Sequence, residues 1–150
     1  MSELVQNNVR ERFNEFLQRS GLKLTSERLI ILNEALATEG HFEADDLLVI
    51  LKQKGRKTSR ATVYRTLEIL AQAGVLRKVC LGGAAAHFEK ITDKPRHDHM
   101  ICRKCGMRYE FHLPQLSDIH QQLSEEYNFQ INDYCFQIFG LCENCTKDKT

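Results

Sequence analysis

Residues 59–91 read SRATVYRTLEILAQAGVLRKVCLGGAAAHFEKI, and their reading decides the fold. Thr58 or Ser59 is placed to cap a helix, because its hydroxyl can accept from a backbone N–H of the first turn. Val63, Leu67 and Leu70 recur at helical spacing and mark an inner face. Tyr64, Arg65 and Glu68 fall on the opposite side, and Arg60 and Thr62 lie on the exposed first turn. Gly74 supplies the stop. Two short β-prone runs then flank Gly82-Gly83, the pattern of a hairpin.

The preceding sequence supplies the partners of that helix. Val9, Phe13, Phe16 and Leu17 form an apolar stripe that ends before Gly21. Thr25 is positioned to cap a second helix, with Leu29, Ile30, Leu32, Ala35 and Leu36 as apolar positions. EADDLLVILKQKG predicts a third helix, acidic at its start and lysine-rich at its end, as the helix dipole favours. Helix, turn, helix and hairpin in that order predict a winged helix-turn-helix.

Charge supports a surface for nucleic acid only through its distribution. The net charge is +1, but residues 1–90 carry 14 Lys+Arg against 11 Asp+Glu. Six basic residues and no acidic one lie between Lys52 and Arg65. Such a run serves equally as a solvated surface or as a phosphate-binding face. No apolar run approaches the roughly 18 residues needed to span a bilayer, and MSELVQNNVRER has no apolar signal core. The expected location is therefore cytoplasmic, without a membrane partner.

Residues 92–96, TDKPR, lack periodicity and read as a hinge between residues 1–91 and 97–150. Beyond it, MICRK and MRYEF flank Cys105-Gly106 as a second hairpin. Pro114 opens a helix to about Tyr127. Phe129–Phe139 reads as a strand, followed by a cysteine-rich tail. The fold class is α+β, an N-terminal winged helix with a smaller α/β domain behind it.

Cys102-Arg103-Lys104-Cys105 and Cys142-Glu143-Asn144-Cys145 are two CxxC pairs. Each turn can offer two thiolates to one ion, and two turns complete a tetrahedron. Four thiolates with no open position favour a structural Zn(II). Cys80 and Cys135 fall outside the pattern and are expected as ordinary half-buried thiols, since a reducing compartment disfavours disulfides. His97 and His99 point to one side of an extended segment. With Glu89 and Glu110 near in sequence, they suit Fe(II), Mn(II), Co(II) or Zn(II), or they are simply a polar surface turn. His87, His112 and His120 are expected at surface or packing positions. Nothing indicates a positioned nucleophile, cofactor loop or substrate pocket, so no enzyme is expected.

GLKLTSERLIIL, HFEADDL, SRATVYRTLEIL, HFE, HDHMICRKCG with YEF, and CENC, in that order, resemble the ferric-uptake-regulator family of bacterial repressors. The resemblance runs over about residues 13–145. It implies a winged helix, a C-terminal dimerisation domain, and homodimers, sometimes tetramers, on near-palindromic operator DNA. It implies a recognition helix at residues 61–65, where Tyr64 can meet a thymine methyl and Arg65 a guanine or phosphate. Arg60 and Thr62 join that surface, and Lys23 matches a lysine that reaches the minor groove. The family's regulatory metal set carries over to His41, Glu89, His97, His99 and Glu110. An ion held from both sides of the hinge would favour one arrangement of the two halves, so metal and DNA would strengthen each other's binding. A further metal site of some members maps to Arg96, Asp98, Ser117 and Tyr134, of which only Asp98 is a good ligand. Glu110 stands where peroxide-sensing relatives usually have aspartate, and Glu89 where zinc sensors often have cysteine. Both tilt the expectation to Fe(II), with Mn(II) as substitute and Zn(II) or Co(II) as ions that bind in vitro. The alternative is a peroxide sensor working by metal-catalysed histidine oxidation.

Overall fold

A computed structural model of the chain describes residues 3–91, 96–131 and 134–147. It divides into two units, Met1–Val79 with Ala84–Thr92, and Cys80–Gly83 with Asp93–Thr150. Most of the segment 92–96 expected as a hinge lies outside the described residues.

The first unit holds α1 (Glu3–Arg19), α2 (Ser26–Ala37), β1 (Phe42–Glu43), α3 (Ala44–Gln53), α4 (Arg60–Gln72), β2 (Leu76–Val79) and β3 (His87–Lys90). The caps explain the helix starts. Thr25 Oγ1 accepts from the Arg28 N–H at 3.2 Å, and Ser59 Oγ accepts from the Thr62 N–H at 3.0 Å. At α3 the Glu43 N–H donates to Asp46 Oδ2 at 2.8 Å. Each removes one of the orphan donors that a helix start leaves.

One core gathers the apolar stripes. Phe13 and Leu17 of α1, Ile31 and Leu32 of α2, Leu47 and Leu51 of α3, and Val63, Leu67 and Leu70 of α4 are all buried together with Phe88 of β3. The sheet order is β1-β3-β2, antiparallel throughout. Strand β1 was not foreseen. Two residues are too few to show an alternation, and they pair only because β3 passes beside them. The β2–β3 hairpin has short strands, and its loop 80–86 carries Gly82 and Gly83 at φ +78° and +83°. A Cβ on Gly82 would lie 3.7 Å from Phe139, so that position is set both by backbone conformation and by close packing.

The second unit contains β4 (Asp98–Cys102), β5 (Arg108–Phe111), α5 (Gln115–Tyr127), β6 (Gln137–Gly140) and α6 (Glu143–Lys147). The expected strand 129–139 is shorter and later than its sequence suggests. Among the described residues of that stretch, pairing begins at 137, and 137–140 run parallel to β4. The cysteine-rich tail forms the short α6. Asn128 closes α5 in the left-handed region at φ 48°, a conformation asparagine tolerates well.

The register sorts the second sheet by face. His99 stands beside Glu110 on one side and Gln137 on the other. Met100, one residue on, stands between Tyr109 and Ile138 on the opposite face. Residues alternate across a strand, so one row is polar and the other apolar. Cys80 and Cys135 are not free thiols: they form a disulfide across 55 residues, with Cα atoms 5.8 Å apart. The expectation failed because no local motif announces a pair brought together only by the fold.

Candidate metal centres and nucleic-acid interface

The four cysteines of the CxxC pairs lie in the second unit, and their sulfur atoms all fall within 4.8 Å of one another. The β4–β6 register places Cys102 opposite Gly140, two residues before Cys142. The turn after β4 brings in Cys105, and the first turn of α6 brings in Cys145. Cys105 and Cys142 sulfurs are 3.7 Å apart. An edge of about 3.8 Å is expected for sulfurs around Zn(II) at roughly 2.3 Å. Backbone N–H groups of Cys105 and Cys142 lower the Cys102 thiol to about 6. Hydrogen bonding with the Cys142 sulfur, then burial, raises Cys145 to about 12. Crowded sulfurs of which one holds a thiolate while another resists ionising are a donor set that a divalent cation would satisfy, so these residues fit such an ion.

Each unit holds part of the histidine and carboxylate residues. In the first unit, His41 Nε2 lies 2.9 Å from Glu89 Oε2. Arg77 Nη1 donates to the other oxygen, Oε1, at 3.3 Å. Arg77 and Glu89 are cross-strand partners in the β2–β3 register. Burial of Glu89 is therefore tolerated because both oxygens are engaged. In the second unit, His97, His99 and Glu110 offer ligand atoms within 4.8 Å of one another. The His97 and His99 rings meet edge-on at 5.2 Å, and His97 Nε2 is 3.7 Å from Glu110 Oε1. His99 is only 2% exposed. Imidazole nitrogens with carboxylate oxygens suit Fe(II), Mn(II) or Zn(II) rather than a soft ion.

The positions matching a further metal site behave differently. The Arg96 guanidinium lies 3.7 Å from the Tyr134 ring centroid. The Tyr134 hydroxyl donates to Asp98 Oδ2 at 3.5 Å. A cation and an aromatic ring stand where ligands would be needed, so these residues do not fit a third ion. His112 Nδ1 bonds to the Arg96 carbonyl at 2.8 Å, and His120 packs on Tyr134 at 4.2 Å. His112 is exposed and His120 half-buried, and His87 pairs with Glu43 at 2.9 Å.

Helix α4 presents Tyr64 at 43% exposure, and Arg65 and Lys23 are also exposed. Thr62 Oγ1 is engaged with Ser59 Oγ at 2.9 Å. Arg60 is held by Asp45 through two hydrogen bonds, 2.6 Å from Nε and 3.2 Å from Nη2. That partner keeps the Asp45 carboxyl below its ordinary range. The basic run thus has an acidic counterpart from α3 that its own sequence does not reveal. Asp45 and Arg77 are the two residues missed at these sites. Both would have been legible only from helix–helix packing and hairpin register.

A winged helix with an exposed basic helix, joined to a sheet unit with a tetrathiol set and a histidine–carboxylate set, defines a class: metal-dependent DNA-binding regulators. The model of the ferric uptake regulator family matches residues 19–139. A ferric uptake regulation protein of Campylobacter jejuni is 33% identical over 93% of this chain and 89% of its own length. The solved ferric uptake regulator of Francisella tularensis with iron is 32% identical, covers 84% of this chain and 96% of its own, and superposes with TM-score 0.60. The Pseudomonas aeruginosa ferric uptake regulator with manganese is 29% identical, covers 87% and 97%, and has TM-score 0.65. The chain belongs to the ferric uptake regulator family. It is a metal-dependent transcriptional regulator rather than an enzyme.

Proposed function

We propose that the chain is an Fe(II)-responsive repressor of metal-uptake genes, with Mn(II) able to replace Fe(II) in vitro. The observation that carries this reading is the presence of two donor sets of different chemistry. Four sulfurs make a tight, closed set suited to a permanent Zn(II). Histidines and carboxylates make a weaker set, and an ion that reports its own concentration must be able to leave. In this reading Cys102, Cys105, Cys142 and Cys145 hold the structural ion. His41, Glu89, His97, His99 and Glu110 share the regulatory one, drawing on both sides of the segment 92–96 that divides residues 1–91 from 97–150. Shared coordination restricts the hinge and favours the DNA-binding arrangement.

Lys23, Arg60, Thr62, Tyr64 and Arg65 form the DNA surface, with α4 in the major groove of operator DNA. For Arg60 to reach a phosphate it must leave Asp45. The protein acts in the cytoplasm as a homodimer. Met100, Tyr109 and Ile138, exposed in one row across the second sheet, supply an apolar surface for the second copy. Dimers also fit the symmetry of a near-palindromic operator.

The test is DNA binding by the zinc-loaded chain on the segment upstream of its own gene. Mn(II) is titrated from zero under anaerobic, chelator-cleared conditions. Binding that rises with micromolar Mn(II) is expected; equally tight binding at zero metal would refute metal control. In the Fe(II) form, efficient addition of one oxygen to His41, His97 or His99 by peroxide would instead support a peroxide sensor.

A further inference from the structure

Cys80 and Cys135 belong to neither donor set. Both lie in the second unit, Cys80 in the loop after β2 and Cys135 in the approach to β6. Cys135 is exposed and Cys80 half-buried, so small solutes can reach the bond from the Cys135 side. The residue before Cys135 is the hub of a polar cluster. Arg96 Nη2 donates to the Tyr134 carbonyl, and its guanidinium lies over the Tyr134 ring. The Tyr134 hydroxyl reaches Asp98. Arg96 immediately precedes His97, and Asp98 separates His97 from His99. Cys135 is therefore one peptide bond from a residue that grips the metal-binding segment on both sides of His97.

We propose that Cys80 and Cys135 are a reversible dithiol–disulfide site, in exchange with low-molecular-weight thiols and disulfides, whose oxidation state sets the order of the segment 96–99. A cross-link between residues 55 apart restricts the chain around Cys135. Tyr134 then keeps its contacts to Arg96 and Asp98. Reduction frees residue 135 and loosens that grip. A protein that works on DNA in a compartment where thiols are kept reduced holds a disulfide transiently, as a sensing rather than a structural bond.

The exchange balances without a further reactant. The Cys135 thiolate attacks one sulfur of a low-molecular-weight disulfide, and that S–S bond breaks to release one thiol. The Cys80 thiolate then attacks the Cys135 sulfur of the mixed disulfide and releases the second. The two protein thiols lose two electrons and two protons, and the small disulfide becomes two thiols.

The experiment uses the full zinc-loaded chain equilibrated with oxidised or reduced glutathione. Peptide mapping by mass spectrometry reads the cross-link, hydrogen exchange reads the segment 96–99, and Mn(II) titration reads affinity. The Cys80–Cys135 peptide should form in oxidised glutathione and revert in reduced. Exchange at 96–99 should slow about tenfold on oxidation, as expected when a local opening is suppressed. Cys80→Ser should exchange like the reduced chain in both buffers, which separates this bond from any effect on the other cysteines. No Cys80–Cys135 peptide, or identical exchange in the two states, would overturn the proposal. The consequence for metal affinity rests on the regulatory-site reading above. Redox-dependent exchange without Mn(II) binding in either state would support the dithiol site and sink that reading instead.

Discussion

His99→Ala separates sensing from architecture. The side chain is 2% exposed and faces His97 and Glu110, while the backbone of residue 99 pairs with Glu110 and Gln137. Truncation to alanine leaves those ladder bonds intact, and a buried truncation of this kind destabilises by about 1–3 kcal/mol. Folded variant can thus be compared with folded wild type. Loss of an outer partner of a metal ligand weakens metal binding by roughly 10- to 100-fold, so loss of a ligand should reach at least about 100-fold. At a metal concentration about 100 times the wild-type dissociation constant, metal stabilises the state that binds it by about 2.7 kcal/mol. In the variant the same concentration only equals the dissociation constant, and the stabilisation falls to about 0.4 kcal/mol. DNA affinity should drop by about 50-fold at that concentration and recover when Mn(II) is raised about 100-fold. Fluorescence anisotropy of labelled operator DNA under anaerobic Mn(II) titration reads both numbers. Zinc content and light scattering check that the tetrathiol site and the dimer persist. A Mn(II) midpoint within about threefold of wild type would refute the assignment of His99 as a ligand.

Acid should release the structural metal. Without metal, Cys102 lies below its ordinary value of 9.0, at about 6, so its thiolate stabilisation is fully present above 9 and is lost as the pH falls through about 6. Cys145, raised to about 12, has the opposite sign: its contribution is present below 9 and is lost as the pH rises through about 12. Protons compete with the ion for all four sulfurs, so zinc should be retained near neutrality and released in acid, read with a chromogenic chelator; full retention at about pH 4 would contradict this. Within α4, Leu67→Ala should cost about 2–5 kcal/mol in denaturant melts, because Leu67 is fully buried. Tyr64→Ala should leave stability within about 0.5 kcal/mol and weaken operator binding about tenfold. A reversal of those two phenotypes would mean that the inner and outer faces of α4 are misassigned.

The sequence carried whatever is local. The Ser59 cap, the spacing of Val63, Leu67 and Leu70, and the two CxxC turns are all short-range signals, and they correspond to α4 and the tetrathiol cluster. Long-range geometry was hidden. Strand β1 exists only because β3 lies beside it, and the Cys80–Cys135 bond joins residues with no shared motif. Asp45 on Arg60 and Arg77 on Glu89 are likewise products of packing and register. The strand expected over 129–139 failed for the same reason. Apolar composition marked the region, but among the described residues pairing with β4 takes in Gln137–Gly140.

The parallel pairing of β4 with β6 turns the tetrathiol cluster into a ring closure. Between Cys105 and Cys142 lie 36 residues, including the whole of β5, α5 and β6. An ion that clips such a ring removes about 4 kcal/mol of chain entropy from the unfolded state, by the relation used for covalent cross-links. That gain depends only on the logarithm of ring size, and doubling the enclosed segment changes it by about 0.6 kcal/mol. The stretch around α5 is therefore free to lengthen or shorten with little thermodynamic consequence, provided the two clip points and the Cys102–Gly140 register are kept.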